Sequence, residues 1–219
     1  MKSAIIIPLI ETLRKVTTEM VEPMTQSIKK EFDSQPFLIL VSCLLSLRTK
    51  DAVTLAASRR LFSWVKSPEE MVAFPEDELA RLIYPVGFYR RKAAILKAVS
   101  QDIIDRFGGQ VPRTEKELLS IKGVGHKTAA LVLGEAFGIP ALCVDTHVHR
   151  IANRLGIVKT KTPAETQRAL ALVIPRDLWI ESNRLFAMWG QNICVPVSPR
   201  CSECAISQWC KRVGVTRSR

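Results

Sequence analysis

Apolar residues recur three and four positions apart along most of this chain, and no stretch alternates apolar with polar as a half-buried strand would. The runs "DAVTLAASRRLFSWV" (51–65), "KAAILKAVSQDIIDRF" (92–107) and "PAETQRALALVI" (163–174) carry that helical period. Gly108-Gly109 stops the second run, and Pro163 opens the third, where a first helical turn tolerates proline. "SPEEMVAF" and "PEDELARLI" begin with the serine, proline and acidic residues that favour helix starts, while "RDLWIESNRLFAMWG" continues the pattern up to Gly190. The spacing predicts an all-α fold of many short helices joined by short turns. With 219 residues, 47% of them hydrophobic, a substantial core is affordable in one domain or in two small ones.

Lysine and arginine outnumber aspartate and glutamate by 32 to 21, a net charge of +11. That excess makes polyanions the natural partners, nucleic acid first and anionic membrane second. "AIIIPLI" (4–10) has the apolarity of a signal-peptide core, but it contains Pro8, runs straight into "ETLRK" and lacks a small-residue cleavage site behind it. It reads as the apolar face of a helix. Nothing else approaches the ~20 residues that span a bilayer, so the expectation is a soluble protein of the cytoplasm, associated with the nucleoid, without export signal or membrane contact.

Cys194, Cys201, Cys204 and Cys210 follow the spacing C-x6-C-x2-C-x5-C within 17 residues. Four soft thiolates crowded into one loop suit an iron-sulfur cube. Zinc and disulfides are the alternatives. Paired zinc knuckles would show two C-x2-C units where one is present, and nothing points to an oxidising compartment. Cys43 and Cys143 lie in apolar surroundings and read as core.

"EKELLSIKGVGHKTAALVLGEAF" reads as helix, tight turn, helix, with Gly123 and Gly125 permitting backbone conformations that a Cβ resists. Such a hairpin turns several backbone N–H groups outward at a helix N-terminus, a phosphate site that ignores base sequence. Lys127 follows the turn, where a helix dipole disfavours a cation. "VDTHVHRIANRL" then places Asp145 or Thr146 to cap a helix whose buried face is Val148, Ile151, Ala152 and Leu155. On residue type alone, Lys127 reads as a solvated helix lysine and Asp145 as a plain cap. His147 and His149, two apart, face different ways and share no metal.

In this order and spacing, "IKGVGHKTA", "VDTHVHR" and the four-cysteine loop resemble the endonuclease III family of DNA glycosylases, within the helix-hairpin-helix superfamily; the match runs from about Phe37 to Lys211. The resemblance implies an all-α, two-domain fold. A six-helix domain would span 30–139, with its helix-hairpin-helix at about 115–137. Residues 1–29 and 140–219 would form a helical domain carrying a [4Fe-4S] cluster on Cys194, Cys201, Cys204 and Cys210, and DNA would lie in the cleft between the two. It also implies a monomeric DNA glycosylase with AP lyase activity on double-stranded DNA holding damaged bases or abasic sites. Lys127 would attack C1′ of an oxidised or damaged pyrimidine nucleotide, forming an imine that leads to strand cleavage by β-elimination. Asp145 would be the catalytic carboxylate.

Taking a base out of a duplex leaves a gap that must be filled. The family's gap-filling loops align with Arg48 in "LLSLRTKD" and Phe88 in "YPVGFYRRK", where Arg90, Arg91 and Lys92 would meet phosphates. By the same resemblance His147 lines the pocket and His149 lies at the surface, while Arg200 stands in a basic segment, 195–219, with five basic residues against one acidic. Arg48 stands where typical members carry glutamine; its guanidinium suits an orphaned guanine and points to a shift toward thymine or uracil mismatches. The mismatch relatives resemble this chain with tyrosine at the position of Lys127, so the lysine favours lyase chemistry. A non-catalytic DNA-binding module, an adenine-mismatch glycosylase and a redox-responsive DNA-binding protein are the remaining alternatives.

Overall fold

The computed structural model describes residues 2–219, with side chains from residue 5 onward; among these there are helices and turns but no strand. Two compact units share the chain, one of Pro23–Ile139 and one of Met1–Glu22 together with Pro140–Arg219. None of the described helices is long and apolar enough to cross a membrane.

In the middle unit, α3 (Pro36–Ser46) is the centre. Residues 37–45 of this helix are all buried, which follows from a sequence, "PFLILVSCLLS", that is apolar on every face. Packed against it are α2 (Met24–Glu31), α4 (Asp51–Phe62), α7 (Tyr89–Phe107) and α9 (His126–Phe137). The short α5 (Pro68–Ala73) and α6 (Glu76–Ile83) lie on α7, and α8 (Glu115–Ser120) lies on α9. These are eight helical segments where the resemblance implied six. The count rises because α5 and α8, six residues each, have N-caps of their own: Ser67 accepts from Glu70 N–H and Thr114 from Glu117 N–H. The expected boundary at residue 30 also moves. Met24, Thr25 and Ile28 of α2 are buried and Phe32 stacks edge-on against Phe62 at 5.1 Å, so residues 23–29 belong to this unit.

The terminal unit joins α1 (Lys2–Val16) to α10 (Thr146–Leu155), α11 (Pro163–Ala171) and α12 (Trp179–Asn192), with 3-10 turns at Arg176–Leu178 and Ser207–Trp209. Ile6, Leu9, Ile10 and Leu13 of α1 join the core of this unit with Val148, Ile151, Leu155, Leu185, Phe186 and Trp189. The apolar "AIIIPLI" run is therefore a helix face, as expected. Arg14 clamps α1 to α12 through two hydrogen bonds to Glu181, Nε to Oε1 at 2.7 Å and Nη2 to Oε2 at 2.6 Å. Gly190 does not end its helix, contrary to the expectation: α12 continues to Asn192. Its glycine serves close packing instead, since a Cβ there would lie 2.7 Å from His147 Cβ on α10.

Candidate active site

The hairpin forms from α8 through Ile121–Gly125 into α9. Gly123 has φ +104°, a region closed to other residues, and a Cβ there would press on Ile95 Cγ2 at 3.3 Å. Gly125 is different from expectation. Its φ of −101° suits any residue and a Cβ would meet nothing within 4 Å. What it supplies as N-cap of α9 is the lack of a side chain, so no side-chain cap covers that helix start, where phosphate oxygens can approach backbone N–H groups. His126 closes the turn from the other side by pairing with Glu115 at 3.2 Å.

Lys127 is the second residue of α9, and it is exposed. Beneath it in α3, Cys43 is fully buried; desolvation pushes its thiol up to about 12, while the charge of Lys127 pulls the other way. That thiol is inert core, as is the buried Cys143. Farther along α9, Glu135 is buried and ion-paired with Lys29 of α2 at 3.4 Å. Sequence reasoning missed it, although a single carboxylate in the otherwise apolar "AALVLGEAF" was the available signal.

Arg48 and Phe88 come together. Both are exposed, both have left-handed backbones at φ +56° and +59°, and the Arg48 guanidinium carbon lies 5.4 Å from the Phe88 ring centre. Arg90 and Arg91 are exposed beside them, with Arg90 over the Tyr89 ring at 5.8 Å. Lys92 is not a phosphate contact. It is buried, and its Nζ donates to the Leu45 and Leu47 carbonyls, both at 2.6 Å, and to Thr49 Oγ1 at 3.2 Å. Burial lowers its pKa to about 8.

In the terminal unit Asp145 is the N-cap of α10. Its Oδ1 accepts from the N–H groups of His147 and Val148, both at 2.9 Å. His147 is half-buried, packed on Gly190 and held through Nδ1 to Arg150 Nη2 at 3.1 Å. His149 is not at the surface as expected; its Nδ1 meets Thr166 Oγ1 at 2.6 Å, on the side of α10 facing α11.

Cys194, Cys201, Cys204 and Cys210 line one common cavity with Arg154 and Arg212. Four thiols lining one cavity are the donor set of a cube that gives one iron to each thiolate. Hydrogen-bond donors already face the sulfurs: Arg154 Nη1 and Arg212 N–H stand 3.4 Å from Cys194 Sγ and Cys210 Sγ. Burial raises the Cys204 thiol, while the Ile206 N–H and the Trp189 indole pull it back. That buried indole N–H finds no acceptor at ordinary hydrogen-bond geometry, and a charged sulfur at Cys204 would give it one. The residues present fit the cluster. Two arginines one turn apart in α10, legible in "VHRIANRL" but missed, brace the loop: Arg150 Nε donates to Cys194 O at 3.0 Å, and Arg154 to Val195 O at 2.8 Å and Pro196 O at 2.7 Å. Arg200 is exposed and 3.8 Å from Glu203, which offsets part of its charge.

Residues 41–176 match the family described as HhH-GPD superfamily base excision DNA repair protein. The chain is 43% identical over 197 residues to endonuclease III of Thermotoga maritima, covering 88% of this chain and 92% of that one. Its fold is similar to that of endonuclease III in a non-covalent complex with DNA, at TM-score 0.83 and 30% identity over 96% of this chain and 95% of the other. A thermostable thymine-DNA glycosylase is similar at TM-score 0.81 and 26% identity over 96% of both chains. The sequence and the fold thus agree, and the chain belongs to the endonuclease III family of HhH-GPD base excision DNA repair proteins.

Proposed function

We propose that this protein is a base-excision-repair DNA glycosylase with AP lyase activity, removing oxidised or otherwise damaged pyrimidines from double-stranded DNA and cutting at the abasic site. The observation that carries this reading is Lys127, an exposed amine in the first turn of α9, immediately behind a helix start that no side chain caps. Phosphates held on that helix start would bring a deoxyribose to the amine. The lysine attacks C1′ in its neutral form, the bond from C1′ to the base breaks, and the base leaves with a proton. The C1′–O4′ bond then opens, O4′ takes up a proton, and Lys127 holds the opened sugar as an iminium. Loss of a C2′ proton breaks the bond between C3′ and O3′, and water releases the amine. Asp145 would stabilise the positive charge that builds on the sugar, and a carboxylate pinned by two N–H groups needs no reorganisation to do so.

Cys194, Cys201, Cys204 and Cys210 would hold a [4Fe-4S] cluster, which braces the surrounding loop when bound. The loop's own contribution is to present Arg200 and the basic residues after Cys210 to the DNA backbone. Borohydride reduction tests the central claim. Protein incubated with duplex DNA containing thymine glycol should be trapped as a covalent adduct, and Lys127→Ala should give none; an adduct at normal yield from that variant overturns the assignment.

Arg48 supports a second reading of substrate preference. Its exposed guanidinium is held over Phe88, where it can donate two hydrogen bonds to an orphaned guanine. Lesions and thymine or uracil mismatches opposite guanine should therefore be processed faster than the same base opposite adenine. Equal rates across a panel of such duplexes would remove Arg48 from specificity.

A further inference from the structure

Arg48 and Phe88 are both exposed and both in the left-handed region of backbone space, and neither is glycine. Such a backbone is strained for a residue with a Cβ and persists only where its surroundings over-determine it. Those surroundings converge on one side chain. The Lys92 ammonium donates to Leu45 O and Leu47 O at the end of α3, where helix carbonyls lack partners, and to Thr49 Oγ1 just beyond Arg48. Thr49 Oγ1 in turn accepts from Gly87 N–H at 3.1 Å, the residue before Phe88. The two loops approach so closely here that a Cβ on Gly87 would sit 2.8 Å from Arg48 O. One buried cation therefore fixes both loops from behind, with its own helix α7 as the anchor.

We propose that Lys92 is a positioning residue that locks residues 47–50 to residues 84–88, so that Arg48 and Phe88 form a single preassembled wedge for the gap left by an extruded nucleotide. The inference rests on the glycosylase reading above. A preassembled wedge loses little freedom when it enters the stack, and it occupies the gap before the base can return. The ammonium never touches DNA. It acts through the carbonyls and the threonine hydroxyl that set where the two wedge residues sit.

Base extrusion can be read apart from chemistry and from affinity. In a Lys127→Ala background, 2-aminopurine placed beside the lesion brightens as stacking is lost, while anisotropy of the same duplex gives the binding constant. Lys92→Met, which keeps the bulk and removes the donors, should bind within about twofold of its parent, the change usual for a residue that does not contact the ligand. Its 2-aminopurine signal should be largely lost. With Lys127 restored, its single-turnover excision should fall about 100-fold, the cost of misplacing a working group by about 1 Å. Lys92→Arg should recover much of both. Gly87→Ala, which drives the Arg48 carbonyl away without touching the ammonium, should reproduce the Lys92→Met result and stands in if that variant does not fold. Normal extrusion in both variants, or extrusion and binding falling in parallel, overturns the proposal. Wild-type protein that neither excises nor traps would instead bring down the glycosylase reading, and the wedge role with it.

Discussion

The proposed function gives Asp145 a second task beside its cap, and substitutions separate the two. Its Oδ1 accepts both leading N–H groups of α10, the work of a helix cap. Asparagine keeps a side-chain oxygen there and discards the charge. Asp145→Asn should retain melting temperature and DNA affinity while single-turnover base release falls by a factor of about 100 to 1,000, the usual loss when a charge-stabilising group is removed. Asp145→Ala should lose stability as well, about 1 kcal/mol by denaturant titration. Comparable turnover in wild type and Asp145→Asn would leave the residue a cap alone. This cap was legible in the sequence because short polar side chains before an apolar period have few other uses. Lys92 was not read correctly, since it closes the cationic string Arg90-Arg91-Lys92. Yet the buried face of α7 runs Lys92, Leu96, Val99, Ile103, and that period, followed back one turn, puts the third cation inside.

Among the elements, α10 links the most functions: Asp145 caps its start, Arg150 and Arg154 brace the cysteine loop, and His147 lies against α12 at Gly190. Gly190→Ala would force a methyl against His147 Cβ and Nδ1, at 2.7 and 2.8 Å. Overpacking of this kind costs about 1–3 kcal/mol, so the variant should melt lower and lose turnover as α10 shifts. An unchanged melting curve would show that the helices can part without strain. The clamp from α1 to α12 adds a pH dependence. Arg14 holds the Glu181 carboxyl below its ordinary range, chiefly by hydrogen bonding. The folded state therefore keeps that carboxylate ionised at pH values where the unfolded chain has begun to protonate it. The stability it confers is full above the ordinary carboxylate range and is lost as pH falls through the depressed value. Glu181→Gln should be less stable than wild type at neutral pH and converge with it in acid; parallel acid transitions would deny the clamp any role. Element type was readable throughout from the three-and-four spacing, whereas Gly190 misled because glycine marks helix ends and close helix contacts alike.

For the whole molecule, the all-α architecture was legible because nearly every segment carries one consistent period. The boundary at residue 23 was not, since α2 is eight residues with a short apolar face that would suit either unit. A net charge of +11 predicts that affinity for undamaged DNA falls steeply between about 50 and 200 mM salt, by about 1,000-fold or more if six or more phosphates are neutralised. The cysteine loop predicts a second bulk property. Chelating the iron of the proposed cluster should lower the melting temperature of the terminal unit and weaken DNA binding, because the loop's backbone would lose its brace; protein that binds normally after chelation would free the loop of that dependence.

The terminal unit takes its first helix from one end of the chain and the remainder from the other, with the middle unit encoded in between. During synthesis α1 therefore leaves the ribosome well before its partner α12 exists. At ~5–20 residues per second, the intervening stretch takes on the order of ten seconds or more to emerge. Until those later segments emerge, Ile6, Leu9, Ile10 and Leu13 lack the core that covers them in the folded unit, so the nascent helix keeps an apolar face open to misassociation.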